Sequence, residues 1–441
     1  MTVDFVSVAF IALVAAATPF IAHAIPGRPI PETVFLLIFG ALLGPHMANV
    51  VTVDETVSFL SDLGLVFLFL LAGYEINPKN LTGSQGKRGV VTWIISLALA
   101  FAAVRLSPNF DSHGIDGIAV AIALTTTALG TLLPIMKERN LMGTRVGDSI
   151  LSYGTWGELL PVFAMALLLS TRQTWQTMLI LGLLIALAVL VALFSTKLRK
   201  AQTVISRYLQ DGAETTSQTV VRVVVLLLVA LSAFSAVFDL DIILGAFAAG
   251  FILRYVLPEG NESLERKLDG IAYGFFIPLF FVVSGAKIDL SAVTTQPGLL
   301  FGFIGMLLLI RALPIFIALS TGKDTKDMLR NNRISVALYC TTALPLIVAV
   351  TTVAVKAGAM DQATASVLVS AGALTVLIMP TLAALCHRVS DVKPVTALQE
   401  IAHNPSDAGA IIQEHWEENK KAAAWKKAQR KKGIYEFKRR K

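Results

Sequence analysis

The sequence predicts an all-α, polytopic membrane protein of about thirteen transmembrane helices, built as an inverted repeat around two crossed, discontinuous helices. Three observations lead there. The chain is 55% hydrophobic and only 15% charged, with a mean hydropathy of +0.70, more apolar surface than a soluble domain buries. Apolar runs bounded by Gly, Pro and charge recur along almost its whole length, near the roughly 20 residues a bilayer requires. Short motifs also recur in the same order at nearly constant offset, the signature of an internal duplication.

The apolar runs lie at about 4–23, 30–45, 57–75, 89–106, 115–136, 148–170, 176–196, 219–237, 240–256, 269–285, 298–320, 334–355 and 363–386. The first ends in Ala22-His-Ala24, like a cleavage site, but no Lys or Arg precedes it, so it reads as a span and not as a signal peptide. With thirteen spans, alternate loops carry eighteen Lys or Arg on one side (Arg28, Lys87, Arg139, Arg145, Lys267 and Lys323 among them). The other side has four: Arg105, Arg172, Lys287 and Lys356. The positive-inside rule places the first set in the cytoplasm, the N-terminus outside and the C-terminus inside.

Thr126-Thr-Ala-Leu129 returns as Thr341-Thr-Ala-Leu344, 215 positions later. Leu70-Leu-Ala-Gly73-Tyr-Glu-Ile76-Asn77 is echoed by Val282-Val-Ser-Gly285-Ala-Lys-Ile288-Asp289 at an offset of 212, and Gly40-Ala-Leu-Leu-Gly44 loosely by Gly245 to Gly250. The offset crosses seven spans, an odd number, so the halves face opposite ways, as in many secondary transporters. The expected organisation is a transmembrane domain over 1–386, with repeats at about 4–170 and 219–386 and a connector helix at 176–196, followed by a basic cytoplasmic tail, 387–441. Both TTAL motifs fall mid-span beside Gly130 or Pro345. Thr, Gly and Pro weaken a helix, while Thr hydroxyls satisfy freed backbone groups, so these two spans are expected to break and cross at the midplane.

Two strongly ionisable side chains sit deep in the apolar runs: Glu158, in Tyr153-Gly-Thr-Trp-Gly-Glu158-Leu-Leu-Pro161, and Arg311, in Leu307-Leu-Leu-Ile-Arg311-Ala-Leu-Pro314. A charge in the bilayer costs at least a few kcal/mol unless paired, hydrated or protonated. Glu158 is read either as a protonatable carrier or as the partner of Arg311 in a buried ion pair that clamps the core. A cation would bind between Glu158 and the oxygens of Thr126, Thr127, Thr341 and Thr342, with Pro161 shaping the cavity. Asp62, Asp148, Asp239 and Asp241 fall at span ends and read as solvated caps, and Glu75 reads as an interfacial helix end.

Phe67-Leu-Phe-Leu-Leu-Ala-Gly73-Tyr-Glu75-Ile-Asn-Pro78, Leu244-Gly-Ala-Phe-Ala-Ala-Gly250 and Pro278-Leu-Phe-Phe-Val-Val-Ser-Gly285 are similar to signatures of the monovalent cation:proton antiporter superfamily, in its bacterial Na+/H+ antiporter and potassium efflux branch. The resemblance covers roughly residues 5–386. It implies thirteen helices, a homodimer, a core that moves like an elevator, and exchange of Na+ or K+ for protons across a bacterial cytoplasmic membrane. It also implies an Asn-Asp, Asp-Asp or Gln-Asp pair in the sixth span, which is absent here. In one register Glu158 takes the clamp position and Val162 and Phe163 the carrier positions. Glu158 has then either taken over the carrier role, or coupling is altered. Single-acid exchange implies electroneutral one-for-one stoichiometry.

The alternatives are a Na+-coupled organic-anion symporter, with Arg311 holding the anion, and a non-transporting sensor or scaffold. The chain has no metalloprotease or nucleophile-elbow motif within a span, so no enzyme, cofactor or resident metal is expected. Cys340 and Cys386 form no disulfide framework. Thirteen Lys or Arg from Arg388 onward suit an anionic lipid surface rather than nucleic acid, because they directly follow a membrane domain.

Overall fold

The computed structural model describes residues 5–24, 31–76, 81, 83–106, 116–139, 141–168, 218–237, 242–256, 262–326 and 328–386, with positions 409, 412, 413 and 416. Among these there is no strand, and nine helices are long and apolar enough to cross a membrane. In chain order the helices are α1 Phe5–Ala24, α2 Glu32–Leu43, α3 Glu55–Glu75, α4 Ser84–Leu106, α5 Asp116–Ala123, α6 Leu129–Glu138, α7 Arg145–Leu168, α8 Thr219–Val237 and α9 Ile242–Val256. They continue as α10 Glu262–Ile271, α11 Ile277–Ala286, α12 Leu290–Thr295, α13 Pro297–Leu307, α14 Leu313–Thr321, α15 Arg330–Tyr339, α16 Leu344–Lys356 and α17 Gln362–Cys386. Twelve of the thirteen expected spans fall on these elements. The seventh, 176–196, lies outside the described residues, as does the tail apart from its four positions.

The fifth and twelfth spans are broken at the repeated motif. Between α5 and α6 the Thr125 and Thr126 hydroxyls donate to the carbonyls of Ile122 and Ala123, each at 2.7 Å. Between α15 and α16, Thr341 does the same to Leu338 at 2.6 Å. Each hydroxyl joins the N–H of its own residue on the same carbonyl, three residues back, so the last turn of each half-helix closes on itself, which is why a break is tolerated in an apolar setting. Pro345 occupies the first turn of α16, where its missing N–H costs nothing. The breaks cross in direct contact: Ala128 N–H donates to Thr342 O at 2.9 Å.

Two further spans are continuous but widened. A π-helical turn, Ala272–Phe276, joins α10 to α11, and another, Leu308–Ala312, joins α13 to α14. In each case a proline, Pro278 or Pro314, stands within two residues after the turn, where it removes an amide donor and crowds the carbonyl four residues back.

The helices gather into two bodies. α2, α3, α8, α9 and α11 pack on one another, with α1 against α2 and α11. α4 to α7 pack with α13 to α17 around the crossing. In the first body the repeat motifs form equivalent helix contacts. Side chains on Gly73 of α3 and Gly250 of α9 would overlap the carbonyl oxygens of Phe247 and Leu70, and side chains on Gly40 of α2 and Gly285 of α11 those of Val282 and Leu37. The glycines are there because backbones meet backbones, the usual small-residue interface of membrane helices.

Gly250→Ala should lower stability by about 1–3 kcal/mol, the ordinary cost of overpacking. Gly302→Ala, where a side chain meets open space, should leave it unchanged. Thermal unfolding of the two variants in detergent checks this.

Candidate ion-binding site

α7 lies against the crossing through a small-residue face. Gly154 and Gly157, one helical turn apart, leave room for Leu129 and Thr127 of the first break, and Thr127 N–H donates to Gly157 O at 2.8 Å. A side chain on Gly157 would overlap the Arg311 guanidinium. Arg311 therefore reaches the crossing over the bare backbone of α7, from the π-helical turn that presents it.

Arg311 is fully buried. Its Nε and Nη2 donate to Thr127 Oγ1 at 3.1 and 3.0 Å, and Nη2 also donates to Tyr153 O at 3.0 Å. The Thr127 hydroxyl passes its own proton to the Cys340 carbonyl at the second break. Arg311 thus joins the fifth, sixth, eleventh and twelfth spans through hydrogen bonds to oxygen, each of the charge-assisted kind.

The ion pair between Glu158 and Arg311 that the sequence suggested is not formed. No carboxylate lies within ion-pair distance of the guanidinium among the described residues, because its donors are turned to Thr127 and Tyr153. Glu158 itself is 3% exposed. It lies near the backbone N–H of Leu129, the first residue of α6, so the positive end of that half-helix faces it. Its Oε2 is buried with no protein partner among the described residues, and the side chain lines a cavity of about 700 Å³ between the two bodies.

The other residues singled out from sequence divide. Gly130 and Pro345 line the cavity, whereas Pro161 is buried within α7 and does not. The hydroxyls of Thr126 and Thr341 cap their own half-helices and that of Thr127 is taken by Arg311, whereas the buried Thr342 hydroxyl has no protein partner. Phe163 meets the Phe247 ring edge-on, centroids 6.5 Å apart, and Val162, one turn along α7 from Glu158, is buried in the apolar core.

The sequence understated one acid. Glu75 does close α3, half-buried, but it lines the same cavity as Glu158. The available signal was its position, closing a long apolar helix within a motif repeated in the other half. Asp62 finds Lys356, whose Nζ lies 2.7 Å from both carboxylate oxygens.

A membrane protein with two helices broken and crossed at a buried charge, inside an inverted repeat, has the architecture of a secondary transporter. The chain belongs to the sodium/hydrogen exchanger family: the profile described as "Sodium/hydrogen exchanger, transmembrane" matches residues 9–385. Among curated relatives it is 28% identical over 299 residues to the putative Na+/H+ antiporter YjbQ of Bacillus subtilis, covering 64% of this chain and 47% of that protein. It is 28% identical over 269 residues to the high-affinity Na+/H+ antiporter NhaS3 of Synechocystis, covering 58% and 56%. It is 24% identical over 311 residues to the Na+/H+-K+ antiporter GerN of Bacillus cereus, covering 67% and 76%. The chain thus spans about half the length of YjbQ and NhaS3. In fold it is similar to the sodium proton antiporter MjNhaP1 of Methanocaldococcus jannaschii, with a TM-score of 0.58 at 17% identity over 87% of this chain and 99% of that one.

Thr127→Val should destabilise the protein by about 1.5–3 kcal/mol, the value of a hydrogen bond to a charged group, because it strips the guanidinium of its shared acceptor. Thr127→Ser should stay near wild type. Unfolding midpoints in detergent distinguish the two.

Proposed function

We propose that the protein exchanges a monovalent cation for protons across a bacterial cytoplasmic membrane, with Glu158 as the group on which the two compete. The observation that carries this is the disposition of the buried charges. Arg311 is held by Thr127 and the Tyr153 carbonyl, which leaves a carboxylate oxygen of Glu158 without a protein partner at the end of a cavity. A membrane-buried acid that faces a cavity and lacks a salt bridge is stable either protonated or with a cation beside it. Those two states are the two loaded forms of an antiporter. Na+ or K+ is a hard cation and would take Glu158, the Thr342 hydroxyl and carbonyls of the breaks as oxygen ligands. One acid exchanging one cation for one proton makes the cycle electroneutral.

Access to Glu158 alternates between the two sides. The cavity runs to the helix ends that bear His23, Glu32 and Arg139, beside the Lys- and Arg-rich loops, which the positive-inside rule assigns to the cytoplasm. At the opposite end three contacts fasten the bodies: Lys356 to Asp62, Gln362 Nε2 to Lys287 O at 2.9 Å, and Asp289 N–H to Ser366 Oγ at 2.9 Å. These must part for Glu158 to face outward. An organic-anion symporter is less well supported, because the relatives the chain resembles are named as Na+/H+ antiporters.

In proteoliposomes, Glu158→Gln should abolish cation-driven proton movement, while unchanged flux would remove Glu158 from the carrier role. Joining Asp62→Cys to Lys356→Cys by oxidation should stop exchange, and reduction should restore it. Exchange that continues with the disulfide formed would show that this end does not open.

A further inference from the structure

Glu75 and Glu158 flank the first turn of α6 from opposite bodies. Glu158, on α7, lies near the N–H of Leu129, and Glu75, at the last residue of α3, places Oε2 3.7 Å from where a side chain on Gly130 would begin. Both line the same cavity of about 700 Å³, and Tyr273, on the first π-helical turn, lines it beside them. The other ionisable groups lining that cavity, His23, Glu32 and Arg139, come from the ends of α1, α2 and α6 at its mouth. Glu158 is almost wholly enclosed, its Oε2 has no protein partner among the described residues, and its side chain lines the cavity, so a ligand there meets one buried carboxylate and a second across the space. Two like charges sharing a cavity with poorly polarisable walls concentrate small cations there.

We propose that Glu75 is a second cation-coordinating carboxylate, supplied by the α3 body, that shares a monovalent cation with Glu158 only while the cavity faces the basic-loop side. When α7 moves relative to α3, Glu158 travels with the ion and Glu75 stays behind. The two faces of the transporter then differ chemically: the cation meets two carboxylates on the cavity side and one on the other. Affinity for the cation is higher on the cavity side, and loss of Glu75 during the transition favours release at the far side. No proton or electron is transferred through Glu75, whose part is coordination alone.

This inference rests on the antiport reading above, and its test separates the two. Oriented proteoliposomes are assayed for Na+- and K+-dependent proton flux, with the cation supplied to one face at a time. Glu75→Gln should raise the apparent KM at the cavity face about tenfold or more, leave the KM at the opposite face unchanged and retain a saturating rate near wild type. Glu75→Asp should recover much of the cavity-face affinity. An unchanged cavity-face KM in Glu75→Gln overturns the inference. So does an equal rise at both faces, or loss of exchange in Glu75→Gln that Glu75→Asp does not restore. Full activity in Glu158→Gln overturns the antiport reading instead, whatever Glu75 does.

Discussion

The structure depends on how one buried guanidinium is satisfied. Arg311 is wholly enclosed, and a charge so placed survives only if its hydrogen bonds are made. Thr127 and the Tyr153 carbonyl make those of Nε and Nη2, leaving Nη1 without a protein partner among the described residues, and Thr127 in turn holds the Cys340 carbonyl, so one side chain locks both broken spans to α7 and to the π-helical turn before α14. Three sequence features are requirements of that arrangement. Gly157 is bare so that the guanidinium can pass, the π-helical turn presents the arginine, and the Thr-Thr motif supplies an acceptor where the chain is unwound.

The two buried charges meet α7 at adjacent residues and are treated differently. The guanidinium, coming from the π-helical turn, gives Nε and Nη2 to protein oxygens beside Gly157. Glu158, next along α7, lines the cavity and, in the proposed cycle, is left to the substrate. A neighbouring salt bridge would have made proton and cation compete with a permanent partner. The α6 N-terminus serves the carboxylate in its place, a fixed dipole that moves with it because α6 and α7 belong to one body.

Much of this was legible in the sequence, and what was not has identifiable causes. The breaks could be read because their chemistry is local: hydroxyls that cap carbonyls three residues back must adjoin the unwound segment, and the motif recurs in both halves. The depth of Glu158 and Arg311 followed from hydropathy. Their pairing did not, because opposite charges in neighbouring spans suggest a salt bridge whenever the competing acceptors are unseen, and here those are a hydroxyl and a backbone carbonyl from two other elements. Glu75 was misjudged for a similar reason. A helix end is solvated on an isolated span, but α3 ends at the seam between two bodies, where a cavity reaches it. The glycines of the Gly73 and Gly250 motifs marked a repeat before they marked the close helix contact that makes them necessary.

The central claim is that a proton and a monovalent cation compete for Glu158 while Arg311 takes no part. Proton release on cation binding measures this most directly. Purified protein in weakly buffered detergent solution is titrated with Na+ or K+, and the pH change is followed. About one proton should be released per cation bound in wild type, retained in Glu75→Gln and absent in Glu158→Gln. Cation binding without proton release, or release that persists in Glu158→Gln, would contradict it.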